Sequence, residues 1–173
     1  MPSTFTSLHY HIVFGTKFRK PLLTPPLLNP THAYLGGCIR KAGAVPLQVG
    51  GIEDHVHVLV RLKATDCVAR LLHDVKKPSS DWLRREMKCE DFYWQDGYSA
   101  FTVGRSGLDR VCEYIATQAE HHRKKTFEDE YRSLLKAHDI QFDERYFVVN
   151  PVPLSRHKLR AHLGIRGQLA APG

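Results

Sequence analysis

The sequence predicts an α+β domain of the ferredoxin-like (RRM-like) type: a split βαβ antiparallel sheet with helices on one face, plus a C-terminal helix. Three observations point there. Segments with strand and helix patterning follow one another in the order β-α-β-β-α-β-α. The strand segments are rich in β-branched and aromatic residues, whereas the helical ones space apolar residues at i, i+3, i+4. The length, 173 residues, suits one domain with its own core.

The first strand is expected over Thr4–Gly15, where Phe5, Tyr10, Ile12, Val13 and Phe14 are β-formers. A basic turn, Lys17 to Pro21, follows. Pro25-Pro26 can open a helix, because proline at the first helical position forfeits no hydrogen bond, and Gly43 can end it after Ala42. Val45–Val49 reads as a second strand broken by Gly50-Gly51, and Ile52–Leu62 as a third. Asp66 is placed to cap a helix that puts Val68, Leu71, Leu72 and Val75 on one face. Pro78 should break or kink that helix before a continuation over Ser79–Lys88. Tyr98–Val103 fits a fourth strand. Gly104–Gly107 is a flexible break, with Ser106 as a cap, ahead of a long helix over Leu108–Lys125 and a shorter one over Phe127–His138. No acid follows Glu144, so residues 150–173 read as a basic, loosely ordered tail behind a domain of residues 1–149.

The net charge of +7, before 11 histidines are counted, favours a polyanionic partner, nucleic acid first. No apolar run nears the roughly 20 residues of a membrane helix. The start, MPSTFTSLHYHIVF, lacks the basic opening of a signal peptide, so a cytoplasmic protein is expected. Cys38, Cys67, Cys89 and Cys112 are scattered with no CxxC, which points away from a zinc knuckle or a disulfide framework.

The string GGIEDHVHVLV places His55 and His57 two apart on a strand, so both imidazoles share a face. Val56 and Val58 take the opposite, core face. The histidine face is expected to be the open side of the sheet. Neutral imidazole is a common metal ligand, and Glu53 and Asp54 supply acidic neighbours. A second pair, His9 and His11, lies on the first strand, which neighbours the third in this topology. We read that pair as sheet-face residues or as partners behind the ligands. Two histidines leave the site incomplete, so a further ligand must come from elsewhere.

On the Leu108–Lys125 helix, Leu108, Val111, Cys112, Ile115 and Ala119 form an apolar stripe. Tyr114 and Gln118, one turn apart on its flank, can reach one site together. His121 and His122 continue near that flank.

These segments together resemble the single-tyrosine HUH transposases of the smallest bacterial insertion sequences, the "insertion-sequence two-hundred" family. The resemblance is carried by Tyr10–Arg19, by Gly50–Val60 with its His55-Val56-His57, by Trp94–Phe101, by Tyr114–Lys124 and by Asp143–Tyr146, in the family's order. One departure is Lys77, where many relatives carry glycine before the Ser79-Ser80 pair.

The resemblance implies a site in which His55, His57 and Gln118 hold Mg²⁺ or Mn²⁺ and Tyr114 is the nucleophile. It implies cleavage and rejoining of single-stranded hairpin DNA through a 5′-phosphotyrosine. It also implies a homodimer, in some members with the tyrosine helix completing the partner's site. Lys17, Arg19, Lys20, Lys76, Arg123 and Lys124 become candidate phosphate contacts. Competing expectations are a domesticated nickase acting on chromosomal repeat hairpins, a non-catalytic nucleic-acid-binding module, and a zinc hydrolase. The binding-module reading leaves His55, His57, Tyr114 and Gln118 unexplained together.

Overall fold

The structure, a computed structural model, describes residues 5–142. The Asp143–Tyr146 segment, the expected boundary at residue 149 and the basic tail lie outside them. Four strands form one antiparallel sheet: β1 (Leu8–Gly15), β2 (Val45–Ile52), β3 (His55–Leu62) and β4 (Ser99–Thr102), in the order β2-β3-β1-β4. That is the split βαβ arrangement. Helices α1 (Pro25–Lys41) and α2 (Val68–Arg85) cover one face. There Ile12, Phe14, Val56, Val58 and Val60 meet Leu35, Ile39, Leu72, Val75 and Leu83 in the main core.

The opposite face is also covered, by α3 (Leu108–Ala116), α4 (Gln118–His121) and α5 (Phe127–Ala137). The expectation of an open histidine face is therefore corrected: His55 and His57 are wholly buried. The reason is apolar area. Val13, Leu59 and Phe101 share that face and bury against Leu108, Ile115 and Leu135.

Several boundaries differ from the sequence expectation. β2 does not break at Gly50-Gly51 but runs through it to a two-residue turn, Glu53-Asp54, with Gly50 opposite His57 and Ile52 opposite His55. Gly51 has φ +149°, and a Cβ there would lie 2.2 Å from the His55 carbonyl oxygen. A Cβ on Gly50 would lie 2.3 Å from the Ile115 carbonyl oxygen, so α3 rests directly on the strand. Both glycines are used for close approach of backbone.

Helix α2 passes through Pro78 without ending. Its buried stripe, Leu71, Leu72, Val75, Ser79 and Leu83, keeps its packing across the proline, and this outweighs one lost backbone bond. Its N-cap is Cys67; Asp66 instead accepts from the Lys63 amide at 2.8 Å.

The single helix expected over Leu108–Lys125 is two. Its N-cap is Gly107, since Ser106 falls in a short 3₁₀ turn. It breaks at Thr117, whose φ/ψ is −101°/18° and whose hydroxyl donates to the Glu113 carbonyl at 2.9 Å. Helix α5 starts as expected, capped by Thr126 Oγ1 accepting from the Asp129 amide.

Candidate active site

The antiparallel register builds the site from the centre of the sheet. Gly15 pairs with His55, Val13 with His57 and His11 with Leu59, so His11, His55 and His57 share the face under α3–α5. His11 Nε2 and His57 Nδ1 are 2.9 Å apart. His55 Nδ1 lies 2.8 Å from Asp54 Oδ1. Each β3 imidazole is thus fixed through one nitrogen, and its Nε2 is left aimed into the site with no hydrogen-bond partner among the described residues. Asp54 is held in turn by Arg19, whose Nη2 is 2.6 Å away and whose guanidinium lies 3.4 Å from the centre of the Phe127 ring.

Helices α3 and α4 bring Tyr114 and Gln118 to the same place. The Thr117 break preserves their shared flank: Tyr114 packs edge-on against His57 and His11, and Gln118 is buried. Glu130, on α5, joins them. Its Oε1 accepts from the Tyr114 hydroxyl and, at 3.0 Å, from Gln118 Nε2. Its Oε2 faces three imidazoles: His122 Nε2 at 3.2 Å, His57 Nε2 at 3.5 Å and His55 Nε2 at 3.7 Å. The side-chain oxygen of Gln118 is buried with no partner among the described residues.

The ligand atoms of His55, His57, His122 and Glu130 all lie within 4.8 Å of one another. Ligands about 2.1 Å from a tetrahedral ion stand about 3.4 Å apart, and the three separations to Glu130 bracket that edge. The buried cluster fits a divalent metal ion. Its unpartnered donors say the same, since buried polar atoms left without partners are costly.

Protonation follows from the packing. Burial, reinforced by neighbouring imidazoles, pushes His55 down to about 4 and His11 down to about 3, and lowers His57 as well. These rings are neutral, the form that binds metal. Burial alone would raise Glu130, but the His122 and His57 imidazoles facing its Oε2 hold it far below the usual carboxylate range. For His122 the order reverses: burial opposes protonation and Glu130 wins, raising it. Tyr114 is raised well above a free phenol, by burial first and then by the Glu130 charge.

The structure therefore brings together His55, His57, Tyr114 and Gln118, all expected from the sequence, in one chain. It does not bring the candidate phosphate contacts together. Arg19 is largely buried against Asp54. Lys76 donates to the carbonyls of Gln95 (3.0 Å) and Gly97 (2.9 Å) and lies over the Phe14 ring; burial lowers it to about 8. Lys17, Lys20, Arg123 and Lys124 are exposed.

Sequence reasoning missed Glu130 as a site residue and did not make His122 a ligand. A signal for Glu130 existed. Phe127, Tyr131, Leu134 and Leu135 define the apolar stripe by which α5 packs on the sheet, and Glu130 falls inside it at i+3 from Phe127. A carboxylate in an apolar stripe needs a partner there.

Residues 4–118 match the family model for IS200-like transposases. That match ends at Gln118, short of His122 and Glu130. No curated protein matches the chain. Among solved structures, a candidate transposase from Deinococcus radiodurans R1 is similar at 18% identity with a TM-score of 0.54, covering 68% of this chain and 95% of that one. A REP-associated tyrosine transposase bound to a REP hairpin is similar at 13% identity with a TM-score of 0.52, covering 70% and 73%. Both share the fold. Among the described residues no helix is long and apolar enough to cross a membrane.

Proposed function

The chain belongs to the family of IS200-like transposases, and from that premise we propose that it cuts and rejoins single-stranded hairpin DNA through a covalent 5′-phosphotyrosine at Tyr114. The observation that carries this reading is the convergence of Tyr114 and Gln118 on Glu130, inside the histidine cluster. A hairpin substrate is suggested by the similar transposase that was captured on one.

His55 and His57 would hold a divalent ion with the Gln118 oxygen, His122 and Glu130 completing the donor set. Three imidazoles with one carboxylate suit Mn²⁺ better than Mg²⁺, which prefers oxygen ligands and its own waters. When bound, the ion supplies a Lewis acid for the scissile phosphate. The chain's residues do the rest. His11 and Asp54 fix the two β3 imidazoles as neutral ligands. Glu130 orients the Tyr114 hydroxyl by accepting its hydrogen bond. Attack by the Tyr114 oxygen forms a P–O bond and breaks the bond to the 3′ oxygen, and rejoining reverses this. Lys17 and Lys20, which follow β1, and Arg123 and Lys124, which follow His122, are the exposed cations proposed to track the backbone.

We place each site within one chain of a homodimer, because α3 is seated on Gly50 of its own β2. Mixing His57→Ala chains with Tyr114→Phe chains should give no adduct; an active mixture would show that the tyrosine helix is exchanged. The central test is incubation with single-stranded hairpin DNA and Mn²⁺. A covalent adduct is expected from the wild type and none from Tyr114→Phe. An adduct that persists in that variant overturns the nucleophile.

A further inference from the structure

We infer that the groove between α3 and α5 is a nucleotide pocket, which takes the sugar and base of the substrate residue adjoining the phosphate attacked by Tyr114. This rests on the DNA-cutting reading above and extends it to a second binding site.

Residues of both helices line a cavity of about 530 Å³ that His11 of β1 and Thr102 of β4 also line. Small-ligand sites run from ~300 to 1,000 Å³, so a single nucleotide is a suitable occupant. The inner end of the cavity is Tyr114 with Glu130. Whatever fills it lies against the nucleophile, contiguous with the histidine cluster.

The lining has the two characters a nucleotide asks for. Val103, Val111 and Leu134 give apolar wall. At the outer end His138 lies flat on Phe101, with ring centroids 4.6 Å apart and 23° between planes, and is itself exposed. An exposed ring already stacked beneath is a platform for a base, because every base has a π-face. Charge agrees. Arg110 and Lys125 line the cavity, with Lys125 Nζ donating to Ser133 Oγ at 2.8 Å, and the one acid in the lining, Glu130, is turned into the metal cluster. The lining thus offers cations for a phosphate together with an apolar wall and a ring platform for a base.

The occupant is a nucleotide of the strand rather than an inorganic anion, because the cations share the lining with an apolar wall and an exposed ring platform that a bare anion would not use. Residues beyond 142 of this chain and a free anion are the other occupants to be distinguished.

The test is saturation-transfer NMR of the full-length protein with dAMP, dCMP, dGMP and dTMP as probes, without metal. Binding with dissociation constants of about 1 mM or tighter is expected, with the base protons in contact with the protein. Arg110→Glu, which repels phosphate, and Ala137→Leu, which fills the outer groove, should each weaken binding about tenfold. Both positions are exposed, and Mn²⁺ affinity should be unchanged in each. Absence of binding, equal binding in both variants, or equally effective competition by inorganic phosphate would overturn the pocket. The outcomes separate from those of the parent reading. Adduct formation without nucleotide binding removes the pocket alone, and nucleotide binding without an adduct removes the cutting reading alone.

Discussion

Replacing Gly50 by alanine should slow adduct formation about a hundredfold while leaving β3 intact. The added methyl would stand 2.3 Å from the Ile115 carbonyl oxygen and 2.9 Å from Ile115 Cγ2. An ordinary contact for a Cβ begins at 3.4 Å, so α3 must retreat by about 1 Å. Neither obstacle is a flexible side-chain end; one is helix backbone. Overpacking of this kind costs about 1–3 kcal/mol, or roughly 3 °C in Tm per kcal/mol for a domain this size. The larger effect is on the site. Tyr114 precedes Ile115 on α3 and rides with it, and Gln118 opens α4 directly after the Thr117 break. A misplacement of about 1 Å can cost ~10²-fold in rate. The assay is the rate of Tyr114–DNA adduct formation with Mn²⁺, read beside thermal unfolding. Gly37→Ala is the control: nothing lies within 4 Å of its Cβ, so it should stabilise α1 by about 0.5–1 kcal/mol and leave the rate alone. Wild-type rate and Tm in Gly50→Ala would refute the seating of α3 on β2.

Glu130→Gln removes the one anionic donor of the cluster among the described residues and should weaken Mn²⁺ binding, measured by calorimetry, beyond the ~10–100-fold typical of losses behind the ligands. His11→Phe keeps a ring against Tyr114 but frees His57 Nδ1, and should fall within that ~10–100-fold range in the same titration. Stability of the metal-free protein should fall as pH drops from about 6.5 toward 4. His11, His32 and His55 are depressed by burial to about 3, 4 and 4, so in that window the unfolded chain binds more protons than the folded one. His122 is raised and opposes the slope, but the lowered groups outnumber it. Each lowered group contributes up to ~1.4 kcal/mol per pH unit, and urea midpoints across pH should show His32→Leu with a shallower fall than wild type.

Much of this was legible because it depends on short-range pattern. Period-two alternation in HVHVLV gave β3 its two faces. The i, i+4 spacing of Tyr114 and Gln118 predicted one shared site, and the Thr117 break did not disturb it. What was not legible was long-range. The cover over the histidines depends on where three helices pack, and the fixed alternation of β3 cannot say whether the second face meets water. Gly50-Gly51 looked like a strand break because glycine lowers strand propensity; its use was to let a helix carbonyl approach. Arg19 and Lys76 looked like surface cations because composition cannot show that Asp54 and two loop carbonyls claim them.

The Arg19 guanidinium, sandwiched between Asp54 and the Phe127 ring, ties the β2–β3 turn to the first residue of α5. The β3 imidazoles exist once the sheet has formed, yet the donor shell closes only when the chain has looped through α3 and α4 and returned with Glu130, and the entropy of closing that loop falls on α5 docking. A ribosome-bound chain lacking α5 holds the tyrosine and the histidine pair without the carboxylate that joins them. On the proposed reading, a chain truncated before α5 lacks Glu130 and should form no DNA adduct.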